Sequence, residues 1–165
     1  MELSPRINIG LRILRSFFTN AKKTGKPRCL KLKLHRQWAT YSCTAAVAQM
    51  VAHYYGFNMS HREAIKLTQC HPDGASLAFV ARMLKKQCAL STKSLHTRAE
   101  IRSALKRGQP VMGNDGVNYG NNHAILLIGE TPKGFYVADP AVCEIFWRHE
   151  DQVITAGEEF IAVRA

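Results

Sequence analysis

One run of the chain, CTAAVAQMVAHYY at residues 43–55, is apolar on almost every side when wound as a helix. Such a helix offers no face to water and must be wrapped by the rest of the fold. Gly56 follows it where a helix C-cap belongs. A chain of 165 residues can build one domain around that helix, with a real core, but not two comfortable ones. Hydrophobic residues make up 46% and charged residues 21%, the balance of a globular chain. The apolar run AILLIG at 124–129 is far shorter than the roughly 20 residues that cross a bilayer. LRILRSFF near the N-terminus is broken by Arg12 and Arg15, with no small-residue cleavage site after it. Neither a spanning helix nor a secretory signal is expected.

The remaining pattern predicts which elements do the wrapping. Ile7, Leu11, Leu14 and Phe18 fit one face of an amphipathic helix within residues 1–20, and KKTGKPR at 22–28 reads as a basic linker. CLKLKL at 29–34 alternates like a short strand. Ser60 followed by Glu63 is a capping box opening a helix to about Thr68. HPDG at 71–74 is a turn, 75–86 a helix with Leu77, Val80, Ala81 and Leu84 inward, and 97–107 another, stopped by Gly108 and Pro110. Then the character changes. PVMG, HAILLIGE, GFYVADP and EIFWRH are β-rich runs separated by Asn/Gly and Pro/Gly turns, GVNYGNN at 116–122 among them. Helices first and an antiparallel sheet afterwards describe an α+β domain at 29–165, preceded by an arm at 1–28.

Charge divides the chain the same way. Of a net +11, residues 1–36 hold ten Lys/Arg against one acid, while the rest holds thirteen against eleven. The basic arm suits an acidic inhibitor or immunity protein, nucleic acid or another anionic surface, or it is a solvated tail. It shows no nucleic-acid-binding motif and no interleaved stacking set, so basic residues alone argue weakly for such a role. Five cysteines at 29, 43, 70, 88 and 143 include no CxxC and no pair at zinc-ligand spacing. They predict a reduced, cytoplasmic working environment, no metal and no cofactor.

A thiol that attacks a carbonyl needs a base, a group to orient the base, and donors for the oxyanion. Cys43 begins the buried helix, where the helix dipole favours a thiolate. His123 opens one strand, and Asp139 closes the next, so a hairpin would bring them together. Gln37 lies just upstream of Cys43, where its side-chain amide could join the nucleophile's backbone N–H. Trp38 and the loop ending at Asn122 flank Gln37 and His123 and are candidates to line a cleft. Each residue alone has a plainer reading: a packing cysteine, a satisfied histidine, an Asp-Pro turn, a surface glutamine. The other cysteines are read as small apolar residues, His53 as a core group, and Tyr54, Tyr55 and Trp147 as core. His35, His61, His71, His96 and His149 are read as surface.

The order Gln37, Cys43, His123, Asp139 resembles the papain-like cysteine peptidases. The closest likeness is to family C39, the peptidase domains that process bacteriocins and remove double-glycine leader peptides. The similar landmarks are Q-x5-C (Gln37, Cys43), a helix ending YYG at Gly56, Gly74-x-Ser76 entering a helix, G-x-P-V (Gly108, Pro110, Val111), His123 before an apolar strand, and V-x-D-P (Val137, Asp139, Pro140). The resemblance covers about residues 29–147. It implies a helical lobe packed on an antiparallel sheet, with the active site in the cleft between them. It also implies Cys43 as nucleophile, His123 as base and acid, Asp139 as orienter and Gln37 as oxyanion donor, acting on a peptide or protein substrate. Members usually carry Asp-Cys-Gly where this chain has Ser42-Cys43-Thr44, so Thr44 alters the substrate subsite. A transporter domain is also usual, and no transmembrane segment is present here. Three other functions compete with leader peptidase: a free-standing toxin or effector protease delivered into another cell, a transglutaminase or deamidase on the same residues, and a catalytically silent peptide-binding domain.

Overall fold

The structure, a computed structural model, describes residues 29–115, 123–154 and 159–165. The predicted helix at 1–20, the linker, the GVNYGNN loop and Asn122 lie outside the described residues. The described elements run α1 (Cys43–Tyr54), α2 (His61–Thr68), α3 (Leu77–Cys88), β1 (Ser91–Leu95), α4 (Arg98–Lys106), β2 (Val111–Asn114), β3 (Ala124–Thr131), β4 (Gly134–Asp139), β5 (Glu144–His149), α5 (Glu150–Val153) and β6 (Phe160–Arg164).

The six strands form one antiparallel sheet in the order β1-β6-β2-β3-β4-β5. Both faces are covered, which explains why β3 reads as a continuous apolar run instead of an alternating one. Ala124, Leu126 and Ile128 of β3 join Met112, Ala138, Ile161 and Val163 in a core with α1, α2 and α3. Ile125 and Leu127 turn the other way and pack with Val111, Phe135, Val137, Phe160 and the α4 residues Ile101, Ala104 and Leu105. Arg102 ties α4 to its face of the sheet by ion pairs to Glu130 at 2.9 Å and Glu150 at 2.6 Å. The helical lobe on the sheet is thus as the resemblance implies, with α4 added behind it.

α1 is wrapped as its composition demands, every residue from Cys43 to Ala52 being buried. It ends at Gly56, whose φ of 83° lies in the left-handed region that a glycine enters without strain. Most of the buried polar groups along it are accommodated, Thr44 Oγ1 being buried with no hydrogen-bond partner. Gln49 Nε2 donates to Met59 O at 2.9 Å, and Tyr55 Oη to Val163 O at 2.6 Å. His53 Nε2 accepts the Met59 N–H at 3.2 Å, so its Nδ1 is the donor toward His35 Nε2, 2.7 Å away. Capping boxes at Ser60–Glu63 and Thr97–Glu100 open α2 and α4, and Ser76 Oγ caps α3.

Several expectations are corrected. Residues 29–34 do not form a strand; Leu30, Leu32 and Leu34 face the core, but only Cys29 bridges, to Gly129. β3 already has β2 and β4 as neighbours, so the segment meets it at the irregularity between Leu127 and Gly129. β1 and β6 were not anticipated. STKSL is polar because it is an edge strand, and FIAVR lies beyond the last turn signal. His61 is buried and His35 half-buried, while Trp147 is 46% exposed because β5 is the opposite edge. Cys29 is exposed and not a packing residue.

Because α4 lies behind the sheet, Thr97→Ala isolates its cap. It should cost about 1 kcal/mol, seen as a lower denaturation midpoint, and leave the reactivity of Cys43 unchanged.

Candidate active site

Ser42 decides what the start of α1 can do. A serine at this position ordinarily caps the helix with its hydroxyl, yet here it makes no such bond. Its Oγ instead accepts the N–H groups of Trp38 and Ala39, each at 3.0 Å, and donates to Ala39 O. The loop before the helix is thereby tied into a tight turn, and the first N–H groups of α1 keep their outward positive ends uncapped by that side chain. Cys43, the first helical residue, is 2% exposed and sits among them.

The β3–β4 hairpin supplies the partners. His123 immediately precedes β3 and Asp139 ends β4, both buried, and the antiparallel register brings them side by side. His123 Nε2 lies 2.8 Å from Asp139 Oδ1, which also accepts the Ala141 N–H at 2.9 Å. That fixes the ring and leaves Nδ1 for the thiol; the Cys43 sulfhydryl and His123 are hydrogen-bonded. Cys43, His123 and Asp139, far apart in sequence, are one contact line.

The electrostatics follow from that line. Burial pushes the Cys43 thiol up, but the hydrogen bond to His123, the backbone N–H of Ala124, the His123 charge and the Thr44 N–H outweigh it, and the net shift is downward. Burial likewise disfavours a charged His123; bonds to Asp139 and Cys43, with their charges, overcome this and raise it to about 9. Asp139 is held below the usual carboxylate range: burial opposes this, but the His123 and Ala141 bonds and the charges of His123 and Arg148 prevail. A low thiol beside a high imidazole is the condition for a thiolate–imidazolium pair at neutral pH.

The remaining candidates are distributed around this core. The Gln37 N–H donates to Pro140 O at 3.0 Å, so the residue is pinned beside the end of β4. Its Nε2 faces Ala39 O at 3.0 Å and Thr40 O at 3.2 Å, while Oε1 is buried with no hydrogen-bond partner. The amide is thus packed into the turn that Ser42 ties, with its donors turned to carbonyls. Thr44 is buried and lines a cleft of about 310 Å³ with Cys43, Gly74, Ser76, Asn114 and Ala124. Trp38 is 68% exposed and stacks beside His61, ring centres 4.6 Å apart; it is not part of that lining. Sequence reasoning missed Ser42 as the tie of the loop, because its separate bonds to 38 and 39 leave no spacing signature. It also missed Arg148, paired with the buried Asp115 and 3.6 Å from Asp139 Oδ2. An arginine in a strand next to a predicted acidic site was the available signal.

A helix-start cysteine facing a histidine and an aspartate across an α+β cleft is the architecture of the papain-like cysteine peptidases. The model of the Peptidase_C39-like family matches residues 29–148, and the chain belongs to that family. Among solved structures, it is similar to a double-glycine-motif protease from an AMS/PCAT transporter in complex with the leader peptide: 19% identity, TM-score 0.66, covering 86% of this chain and 100% of that one. The peptidase domain of Streptococcus ComA, a bifunctional ABC transporter of a quorum-sensing pathway, gives 20% identity and TM-score 0.66, covering 79% and 97%. A C39-like peptidase from Bacillus anthracis gives 16% and 0.62, covering 85% and 98%. No match was found among curated proteins. Among the described residues, no helix is long and apolar enough to cross a membrane.

Iodoacetamide at neutral pH should therefore label Cys43 well before Cys29, even though Cys29 is exposed and Cys43 buried. Peptide mapping by mass spectrometry reads the order directly. The Cys43 rate should rise through a depressed thiol transition, and the alkaline end of the ion pair should fall near the His123 value of about 9.

Proposed function

We propose that this protein is a cysteine peptidase that cuts a peptide bond through a Cys43 acyl-enzyme. The observation that carries the reading is the continuous Cys43–His123–Asp139 contact line opening on a cleft. The Cys43 thiolate attacks the scissile carbonyl. The imidazolium of His123 gives its proton to the leaving amine, and the acyl-enzyme forms as the C–N bond breaks. His123, now neutral, takes a proton from water, whose oxygen attacks the thioester and releases the acid with Cys43 restored. Asp139 keeps the His123 ring in one orientation through both steps and favours its charged form.

The oxyanion is assigned to the backbone N–H of Cys43 at the helix start, assisted by Gln37. For Gln37 to donate, one of its two N–H groups must leave the Ala39 or Thr40 carbonyl as substrate enters. Gln37→Ala then lowers turnover by about 10²-fold or less, whereas loss of the sulfur removes it altogether. Thr44, in the cleft wall beside Cys43, and exposed Trp38 would both meet the substrate chain. The leader peptide bound by the similar double-glycine protease supports an extended peptide as the substrate class.

The experiment is an intact-mass assay of wild type and Cys43→Ala against precursor peptides. Cleavage by wild type alone supports the reading; cleavage retained by Cys43→Ala refutes it, and a deamidation or amine-transfer mass replaces it. The basic arm at 1–28 is assigned to docking on an acidic partner or anionic surface. Its deletion should abolish salt-sensitive binding to a polyanion and leave peptide cleavage intact.

A further inference from the structure

Asp139 presents two oxygens to two different surroundings. Oδ1 is saturated by His123 Nε2 and the Ala141 N–H. Oδ2 is buried and has no hydrogen-bond partner. A buried carboxylate oxygen in that condition is costly unless a cation faces it. Arg148, on β5, brings Nη2 to 3.6 Å from Oδ2, a charge contact and not a hydrogen bond. The Arg148 side chain is only 14% exposed and lies over the Phe146 ring.

What holds Arg148 there closes a circuit. Its Nη1 pairs with the carboxylate of Asp115, which is fully buried. The Asp115 backbone N–H donates to the carbonyl of His123 at 2.7 Å. One residue thus grips the main chain of His123 and, through Arg148, the far side of the carboxylate that orients the His123 ring.

We propose that Asp115 and Arg148 are positioning residues of the site, closing His123 and Asp139 into a ring that fixes the carboxylate from both sides. The proposal rests on the Cys43–His123 reading above. The ring is also charge-balanced. Asp115 neutralises Arg148, so Asp139 keeps its full effect on His123. Among the described residues, the other titratable and charged groups around it include Cys43 on α1, against His123, and Glu144, exposed opposite Asp139 on β5; Arg36 lies on the Val142 carbonyl just after Asp139.

This balance predicts opposite signs for two neighbouring substitutions, which a merely structural pair would not give. Asp115→Asn leaves the Arg148 charge uncompensated beside Asp139, disfavours the His123 imidazolium and moves the alkaline limb of Cys43 reactivity down. Arg148→Gln leaves an excess negative charge and moves the limb up. Each shift should be about half a pH unit or more. The double variant Asp115→Asn/Arg148→Gln leaves no charge unpaired, so it keeps the limb near the wild-type position. Having lost the second grip on Asp139, it should alkylate about tenfold more slowly.

The experiment is the rate of Cys43 alkylation by iodoacetamide across pH, read by peptide mapping, in wild type and the three variants, with circular dichroism to verify folding. Opposite single shifts with a slowed, unshifted double variant are the expected result. Single variants that move the limb the same way, or not at all, overturn the ring. Should the single variants fail to fold, the double variant decides alone: slowed alkylation at the wild-type limb supports the ring, and a wild-type rate or a displaced limb overturns it. A wild-type Cys43 no faster than Cys29 would instead refute the underlying thiolate–imidazolium reading, independently of the ring.

Discussion

The complete burial of α1 is the constraint from which the rest of the structure follows. A helix without a polar face has to be enclosed by the sheet on one side and by α2 and α3 on the others, and its first residue is then buried too. A cysteine at that first residue is withdrawn from solvent, yet it lies at the one end of the helix where N–H groups lack internal partners. Burial alone would raise the thiol. Its lowering is the work of the histidine and backbone donors gathered there, so the packing that hides the sulfur also determines what must surround it.

The sheet supplies that surrounding through its hairpins. His123 and Asp139 are held by the adjoining ends of β3 and β4, which are buried on both faces and therefore stiff. Asp115 enters from the end of β2 and Arg148 from β5, so residues at the ends of four neighbouring strands meet in one cluster around His123 and Asp139. The loop carrying Gln37 is bound independently, by the Gln37 N–H to Pro140 and by Ser42 to the 38–39 turn. Precision at the site thus comes from strand register on one side and, on the other, from a serine hydroxyl and one main-chain bond to the end of β4.

Much of this was legible in the sequence wherever one element's periodicity carried the information. The all-apolar run at 43–55, the capping box at Ser60, and the glycine after α1 act over a few residues and appear where expected. The meeting of His123 and Asp139 was legible in a predicted hairpin, and that of Cys43 with them only in the residue order shared with the resembled family. What stayed hidden depends on longer-range placement. Residues 29–34 alternate as a strand does, but β3 has no edge free to receive them. His61 looked like a surface residue at a helix start and is buried against Trp38 and Gln49. Trp147 looked like core and is exposed because sheet order, not composition, puts β5 at an edge.

The histidine pair beneath α1 has a bearing on the domain as a whole. His53 Nε2 accepts the Met59 N–H and its Nδ1 faces His35, so the hydrogen bond between the rings needs a bare Nε2 on His35. Burial, with His53, Lys33 and His61 nearby, depresses His35 from 6.5 to about 4. A ring that binds its proton more weakly when folded than when unfolded favours the fold fully above the unfolded value. That contribution fades as pH falls below 6.5 and is spent by about 4. Acid therefore loosens this domain at its central helix, through the segment that leads into Gln37.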